Sequence, residues 1–336
     1  MSGPGPVLRV DNLTKRFHIR RPALEVIAAR GHATMTAVDQ VSLAVSRGET
    51  LGIVGESGCG KSTLARCIVR LHEPDSGTIR FEDEDVLILK GTARRLYHRR
   101  VQMVFQDPYG SLNPRMTIGS ALAEVLSIHK LAPAADIPAK VIALLDLVHL
   151  PASAASRYPH EFSGGQRQRI GIARALAVEP AVLIADEPLS ALDVSVQAQI
   201  VNLFVELQSR LGLAIVFITH DLRLVGHMAN RTAVMYLGRI VETGPTDQIF
   251  ATPKHPYTQA LIRAVPHLSG QARRNRSREA ALKGELPSPL APPPGCTFHP
   301  RCPIAVARCR SQVPALLPLR DDNHSADWRT ACHLAD

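Results

Sequence analysis

The sequence predicts an α/β fold built on a parallel β-sheet, and three observations lead to this class. The stretch Gly55-Glu56-Ser57-Gly58-Cys59-Gly60-Lys61-Ser62-Thr63 fills the pattern G-x-x-x-x-G-K-[ST] at every position. An apolar run at 51–54 precedes it, and helical spacing follows in Leu64, Cys67, Ile68 and Leu71. The runs 181–185 and 214–219 are continuously apolar, which is typical of strands covered on both faces.

The glycine-rich stretch has the chemistry of a phosphate cradle. Its three glycines let the backbone curl so that successive N–H groups point inward, and the following helix start adds partial positive charge. We expect Lys61 to reach the β- and γ-phosphates of a nucleotide and the Ser62 hydroxyl to ligate Mg²⁺. An ordinary glycine-rich turn would also match the bare pattern, but the strand and helix on either side favour the cradle.

Length and composition bound the remaining possibilities. A chain of 336 residues can form one large domain and a smaller one. It contains no run approaching the roughly 20 apolar residues that cross a bilayer. The first six residues lack the charged-then-apolar order of a secretion signal, so we expect a cytoplasmic location.

The charge balance favours no partner by itself. There are 39 Lys and Arg against 30 Asp and Glu, a net charge of +9, which suits nucleic acid, an anionic lipid surface or simple solubility. Aromatic residues make up 4% of the chain, so interleaved stacking platforms for single-stranded nucleic acid are not evident. We expect no nucleic-acid partner.

The first part of the chain is expected to be rich in β-structure. Residues 7–10 and 37–45 alternate as half-buried strands do. A basic, poorly patterned insert at 18–35 separates them. Phe17, just before this insert, is placed to stack on an adenine ring, although plain packing is the commoner role of such a residue.

The middle of the chain combines a strand with a helical insert. The strand at 101–105 ends at Gln106, and the turn-rich segment 107–114 then gives way to helical patterning through about residue 150. Further on, Ser163-Gly164-Gly165-Gln166 opens a helix-favouring run, with Ser163 as its N-cap. The amides of that helix start suit a phosphate oxygen, although a simple capped helix after a flexible turn is the likelier explanation of the pattern taken alone.

Polar side chains follow the buried strands. Asp186 and Glu187 end one run and His220 ends another, as Gln106 ends the strand before them. Taken singly, a carboxylate pair often caps a helix and a lone histidine is usually structural. In a parallel α/β sheet, however, such strand ends gather in one crevice, which makes these residues candidates for one site.

With these motifs assembled, the chain resembles the ATP-binding subunit of an ATP-binding cassette (ABC) transporter. The motifs follow the family's order over about 5–245. They are the phosphate loop (55–63), the glutamine loop (Gln106), the signature (163–166), the second nucleotide motif (Asp186 with Glu187), the loop after it (190–193) and the switch histidine (His220). The resemblance implies a P-loop NTPase (RecA-like) core with an antiparallel β subdomain and a helical insert at about 107–177, and a small cysteine-rich extension at 246–336.

The resemblance also implies roles and cofactors. Two such subunits pair head to tail, so that each ATP lies between one phosphate loop and the partner's signature helix, where Ser163 and Gly165 act. Catalytic roles fall to Lys61, Gln106, Glu187 and His220. Mg²⁺ is expected at Ser62, Gln106 and Asp186. The nucleotide is expected at Phe17, Gly55, Glu56, Ser57, Gly58, Cys59, Gly60, Lys61, Ser62, Thr63, Ser163, Gly164, Gly165, Gln166 and Asp186.

The tail contains a separate group of cysteines, Cys296, Cys302, Cys309 and Cys332. Disulfides are disfavoured in a reducing cytosol, and zinc sites usually have closer C-x2-4-C pairs. Four thiolates also suit a [4Fe–4S] cluster, which the resemblance of this tail to the oligopeptide/dipeptide importer branch of the family implies. We predict the cluster first, then zinc, then free thiols.

Segments 105–114 and 255–258, with the tail, resemble the oligopeptide/dipeptide importer branch. This implies peptide uptake, with nickel or another small solute as the alternative. The implied partners are a second ATPase subunit, two transmembrane permease subunits and an extracytoplasmic substrate-binding protein. The implied location is the cytoplasmic face of the cell membrane. A soluble ABC ATPase acting on ribosomes or DNA is the alternative class, but it usually has two cassettes or a long coiled-coil insertion, and neither is visible.

Overall fold

The structure is a computed structural model that describes residues 5–19, 33–107, 110, 112–264, 287–319 and 327–335. Most of the basic insert predicted at 18–35 lies outside this part of the chain. The chain divides into two compact units. Unit 1 contains residues 1–9, 44–50 and 80–219, and unit 2 contains 10–43, 51–79 and 220–336.

The described residues form strands and helices in the alternation expected of an α/β protein. The strands are β1 Leu8–Ile19, β2 Ala33–Val45, β3 Thr50–Val54, β4 Ser76–Phe81, β5 Glu84–Asp85, β6 Val101–Val104, β7 Val182–Asp186, β8 Ala214–Thr219, β9 Arg231–Tyr236, β10 Arg239–Pro245, β11 Leu317–Pro318 and β12 Arg329–Thr330. The α-helices are α1 Lys61–Ile68, α2 Gly91–Arg100, α3 Ile118–Ile128, α4 Ile137–Leu147, α5 Gly164–Leu176, α6 Val194–Leu211, α7 Leu222–Met228, α8 Thr246–Ala251 and α9 Pro256–Ala264. No helix in these described ranges is both long enough and apolar enough to cross a membrane.

Unit 1 is built on three parallel strands. β6 pairs with β7 and β7 pairs with β8, with Val182 opposite both Val101 and Ala214. Every residue of β7 and β8 is buried. Continuous apolar runs form such strands because helices cover both faces of a parallel sheet, so no position needs to meet water.

The helical insert also belongs to unit 1. Helices α3, α4 and α5 contact one another through apolar faces that bury Leu122, Leu145 and Ile170. The Thr117 side chain caps α3 by accepting a hydrogen bond from the Ser120 amide. The predicted α/β class with a helical insert is thereby confirmed.

Unit 2 contains the strand that leads into the glycine-rich loop. β3 pairs in parallel with β9, and β9 pairs antiparallel with β10. The sheet continues from β10 to β12 and β11, so the C-terminal residues supply its last strands. Most of β1, β2 and β4 also lies in unit 2, where β1 is the middle strand of the three.

The prediction that Leu71 continues the apolar face of the first helix is wrong. Helix α1 ends at Ile68, and Leu71 is exposed. Arg70 adopts a left-handed φ of 57°, and the Leu71 amide donates to the Arg66 carbonyl at 2.8 Å. This is the hydrogen bond of a Schellman termination, which stops the helix before Leu71 can join its buried face.

Two buried aromatic groups anchor the C-terminal region within unit 2. Trp328 is fully buried, and its indole Nε1 donates to the buried Glu242 carboxylate on β10 at 3.0 Å. Phe298 is buried against Tyr236 and Tyr257, with ring centroids 5.3 and 5.4 Å apart. The C-terminal region therefore packs its buried aromatic side chains against β9, β10 and α9 of the same unit.

Candidate nucleotide site

The glycine-rich loop joins β3 to α1, as predicted. Gly60 has φ 107°, and a Cβ there would lie 2.0 Å from the Ala37 carbonyl oxygen. A Cβ on Gly55 would lie 2.2 Å from the Met235 carbonyl oxygen. Both positions therefore require glycine, because the loop passes too close to neighbouring backbone for any side chain.

Lys61, the first residue of α1, folds back into this loop. Its Nζ donates to the carbonyls of Gly55 at 2.8 Å and Glu56 at 3.0 Å, and its side chain is almost fully buried. The neighbouring Cys59 thiol is buried too, which raises its pKa. A buried ammonium group among loop backbone atoms is a fixed positive charge of the kind that pairs with phosphate.

The Phe17 side chain is half-buried in unit 2. Its ring meets His72 edge-on, with centroids 5.5 Å apart, and the Lys15 ammonium lies 5.4 Å from the ring centroid. Burial lowers the pKa of His72, so this imidazole favours its neutral form. The packing of Phe17 is thus established, and its contact with adenine stays a prediction.

In unit 1, Ser163 caps helix α5 as predicted. Its side chain accepts a hydrogen bond from the Gln166 amide, and the Gln166 side chain accepts one from the Ser163 amide, which forms a capping box. A Cβ on Gly165 would lie 2.3 Å from Cγ1 of Val196, and one on Gly164 would lie 3.1 Å from Leu192. The glycines therefore let the start of α5 pack closely on the residues around the start of α6.

The carboxylate pair lies where strand β7 ends. Asp186 is buried as the last residue of the strand, and Glu187 is half-buried with a left-handed φ of 45°. The Glu187 amide donates to the Ile218 carbonyl at 2.9 Å, and its carbonyl accepts from the Ser190 hydroxyl at 3.1 Å. Backbone bonds thus hold the turn that presents the second carboxylate, in a conformation uncommon for a glutamate.

Gln106 and His220 are both exposed. Gln106 lies two residues beyond β6, after the exposed Phe105. His220 follows β8 directly and belongs to unit 2. The next residue, Asp221, caps α7. Burial opposes its ionisation, but hydrogen bonds from Arg223 prevail and lower its pKa.

The candidate residues are thus divided between the units. Unit 1 holds Gln106, the start of α5, Asp186 and Glu187, and unit 2 holds Phe17, residues 55–63 and His220. The four tail cysteines also lie in unit 2, and none of the six cysteines, all within the described ranges, forms a disulfide.

The tail thiols influence one another without forming a site for a single ion. Burial raises the pKa of Cys296, Cys302 and Cys332, and neighbouring tail cysteines raise it further in each case. The Cys296 amide donates to the Cys309 carbonyl at 2.8 Å. Among the residues that the structure describes, no group of three or more His, Cys, Asp or Glu side chains could hold a metal ion.

Two residues that contact the phosphate loop were missed by sequence reasoning. The Tyr257 hydroxyl accepts a hydrogen bond from the Glu56 amide at 2.9 Å, and Arg301 forms two hydrogen bonds with the Glu56 carboxylate. They lie 201 and 245 residues away along the chain. No local pattern could have paired them with the loop.

Together, the glycine loop, its buried lysine and the parallel strands define a nucleotide-binding protein of the P-loop class.

Comparison with known proteins gives the family. Residues 38–190 match the model of the ABC transporter family, and residues 241–309 match that of the oligopeptide/dipeptide transporter C-terminal region. The probable peptide ABC transporter ATP-binding protein y4tS of Sinorhizobium fredii is 50% identical over 98% of this chain and 90% of its own length. The di/tripeptide transport ATP-binding protein DppF of Pseudomonas aeruginosa is 47% identical over 98% of each chain.

A solved structure agrees with this result. The ATP-binding cassette MJ0796, a dimer in a post-hydrolysis state bound to ADP and Pi, has a TM-score of 0.60 at 26% identity, over 71% of this chain and 98% of its own. The chain belongs to the ATP-binding proteins of ABC transporters. It is accordingly an ATPase, and the predicted resemblance is confirmed.

Proposed function

We propose that this chain powers the import of di- or oligopeptides by binding and hydrolysing ATP beneath a membrane permease. The observation that carries the proposal is the buried Lys61, whose Nζ lies 2.8 Å from the Gly55 carbonyl inside a loop where Gly55 and Gly60 leave no room for a side chain. The names of the relatives support the peptide substrate, since y4tS and DppF are described as peptide and di/tripeptide transport proteins.

Positioning and neutralisation of charge are the main demands of phosphoryl transfer. Lys61 and the loop amides hold the phosphates of ATP in this proposal. Glu187 orients or deprotonates the attacking water, and His220 steadies the γ-phosphate. The backbone of Glu187 is held by its amide, which donates to the Ile218 carbonyl, and by its carbonyl, which accepts from the Ser190 hydroxyl, so its side chain starts from a fixed position.

Mg²⁺ fits the donors that the chain offers. Hydroxyl and carboxylate oxygens are its preferred ligands, and Ser62 and the buried Asp186 supply one of each. Gln106 adds an amide oxygen and is also proposed to sense the γ-phosphate. When bound, the ion neutralises charge on the phosphates.

The second half of each nucleotide pocket is proposed to come from a partner ATPase subunit. Ser163 is exposed at the start of α5, where the positive end of the helix dipole favours an anion. A head-to-tail pair would bring it to the ATP of the neighbouring subunit, which is a related chain or a second copy. The dimeric state of MJ0796, which is bound to ADP and Pi, supports the pairing of two ATPase subunits.

The remaining partners follow from an importer role. They are two transmembrane permease subunits, which place this chain at the cytoplasmic face of the membrane, and an extracytoplasmic substrate-binding protein that selects the solute. Exposed Gln106 and Phe105 are proposed to carry the nucleotide state to the permease.

A [4Fe–4S] cluster is proposed at Cys296, Cys302, Cys309 and Cys332. A zinc ion needs its ligands in one tetrahedron, which the described thiols do not form. In a four-iron cluster each thiolate binds a different iron, so the ligands lie further apart than those of a single ion, and the four tail cysteines supply the four thiolates it needs. Protein purified without oxygen should be brown and contain iron and sulfide, whereas colourless protein with stoichiometric zinc contradicts the proposal.

Uptake by the intact assembly tests the proposed function. Membrane vesicles containing the permease, this chain and its partner ATPase should accumulate a labelled dipeptide when ATP and the binding protein are supplied. The Lys61→Ala variant should abolish uptake. Uptake of labelled nickel with no uptake of di- or oligopeptides would contradict the peptide assignment and favour the alternative solute.

A further inference from the structure

Glu56 in the phosphate loop forms hydrogen bonds through its amide, its carbonyl and its carboxylate, all to residues that the structure describes. Its amide donates to the Tyr257 hydroxyl at 2.9 Å. Its carbonyl accepts from Lys61 at 3.0 Å. Its carboxylate accepts one hydrogen bond from each terminal nitrogen of Arg301, at 2.8 and 2.9 Å. Two of these three partners lie in the C-terminal region rather than in the loop.

The Arg301 pair is a fixed contact and not a surface ion pair. The arginine side chain is 6% exposed and that of Glu56 is 24% exposed. A bidentate fork fixes the orientation of both groups, and losing one partner of a buried pair is costly. Arg301 also donates to the Tyr236 hydroxyl at 3.4 Å.

The position of Arg301 is set by the first turn of the cysteine-rich tail. Its amide donates to the Phe298 carbonyl at 3.0 Å, and the His299 ring bonds to the Cys296 carbonyl at 2.9 Å. Phe298 is buried against Tyr236 and Tyr257. The packing of Phe298, Tyr236 and Tyr257 therefore fixes the Arg301 guanidinium and the Tyr257 hydroxyl, the two groups that contact Glu56 from the C-terminal region.

We propose that Arg301 and Tyr257 are positioning residues of the nucleotide site, through which the C-terminal region holds the phosphate loop in the conformation that binds ATP. This rests on the proposed ATP-binding role of the loop. Arg301 neutralises a carboxylate that would otherwise repel the triphosphate from within its own cradle. Tyr257 accepts the hydrogen bond of the Glu56 amide. This bond fixes the backbone at the start of the loop through a residue that does not itself contact the phosphates.

The affinity of the full-length chain for a fluorescent ATP analogue with Mg²⁺ tests this proposal. Arg301→Met should raise the dissociation constant about tenfold or more, the effect of losing a charged hydrogen-bonded pair. Arg301→Lys should recover part of the loss, because it restores the charge without the fork. The double variant Glu56→Gln with Arg301→Met should bind better than Arg301→Met alone, because the unpaired carboxylate is gone.

A matched control is Arg308→Met. Arg308 lies in the same tail, but its Nε donates to Gln312, another exposed tail residue. This variant should bind the analogue as the wild type does. Circular dichroism melting of all variants separates a loop effect from unfolding: the affinity should change in Arg301→Lys even where the melting temperature does not.

Three outcomes overturn the proposal. The first is a dissociation constant for Arg301→Met within twofold of wild type. The second is equal weakening by Arg308→Met. The third is a loss of affinity that follows melting temperature across all variants. Failure of the proposed function is distinguishable, since wild-type protein would then bind no analogue at all.

Discussion

The indole nitrogen of Trp328 lies 3.0 Å from a carboxylate oxygen of Glu242, and this hydrogen bond connects the end of the chain to the middle of the sheet in unit 2. Glu242 also accepts hydrogen bonds from the amides of Lys254 and His255 at 2.8 and 3.0 Å. Burial raises the pKa of Glu242. One buried carboxylate thus joins β10, the segment before α9 and the residue that precedes β12.

Trp328→Phe should reduce the free energy of unfolding by about 1–3 kcal/mol, because it leaves a buried carboxylate short of one donor. Chemical denaturation of the full chain measures this change. Leu334→Ala, at an exposed residue of the same tail, is the control and should have little effect. A Trp328→Phe variant as stable as the control would show that this hydrogen bond does not anchor the tail.

Gly165→Ala should destabilise the protein, because the new methyl group would lie 2.3 Å from Cγ1 of Val196. We expect a loss of about 1–3 kcal/mol. Adding Val196→Ala should restore most of it by opening the space. Thermal melting of the single and double variants measures the effect.

Gly171→Ala is the matched control for this prediction. Gly171 lies in the same helix α5, and a methyl group added there would meet no neighbouring side chain or backbone atom within 4 Å outside its own stretch of helix. This variant should gain up to about 1 kcal/mol from the better helix propensity of alanine. Equal destabilisation by both glycine substitutions would contradict the packing explanation.

Buried His255 should make folding sensitive to acid. Burial lowers its pKa to about 3, and its Nδ1 accepts a hydrogen bond from the Tyr257 amide at 3.0 Å. Between the ordinary value of about 6.5 and this value, the unfolded chain binds a proton that the folded chain does not. Its contribution to stability should therefore fall by about 1.4 kcal/mol per pH unit below pH 6.5.

Unfolding free energies measured at pH 7 and pH 5 test this linkage. His255→Asn, which keeps an acceptor for the Tyr257 amide, should lose about 2 kcal/mol less than wild type between these pH values. His129→Asn removes an exposed imidazole and should follow the wild type. Parallel pH dependence in wild type and His255→Asn would mean that His255 titrates normally.

Sequence patterns located the features that depend on neighbouring residues. The phosphate loop, the Ser163 cap and the buried strands β7 and β8 all follow from residue types within a few positions of each other. The end of α1 could not be located in this way, because the left-handed turn at Arg70 interrupts an apolar spacing that continues to Leu71.

The contacts of the C-terminal region with the phosphate loop could not be predicted in this way. Arg301 meets Glu56, and Tyr257 meets the same residue, across more than two hundred residues of sequence. Nothing in the sequence near either residue indicates its partner. The aromatic core around Phe298 was missed for a related reason, since its members are scattered and follow no helical or strand period.

Hydrolysis by Glu187→Gln within the assembled transporter tests the central claim most directly, namely that ATP held by the phosphate loop is hydrolysed with the help of this carboxylate. The variant should retain its affinity for ATP, accumulate as a closed dimer and lose turnover by about 10²–10⁴-fold, the usual contribution of a general base. ATPase activity close to that of wild type in Glu187→Gln would contradict the account.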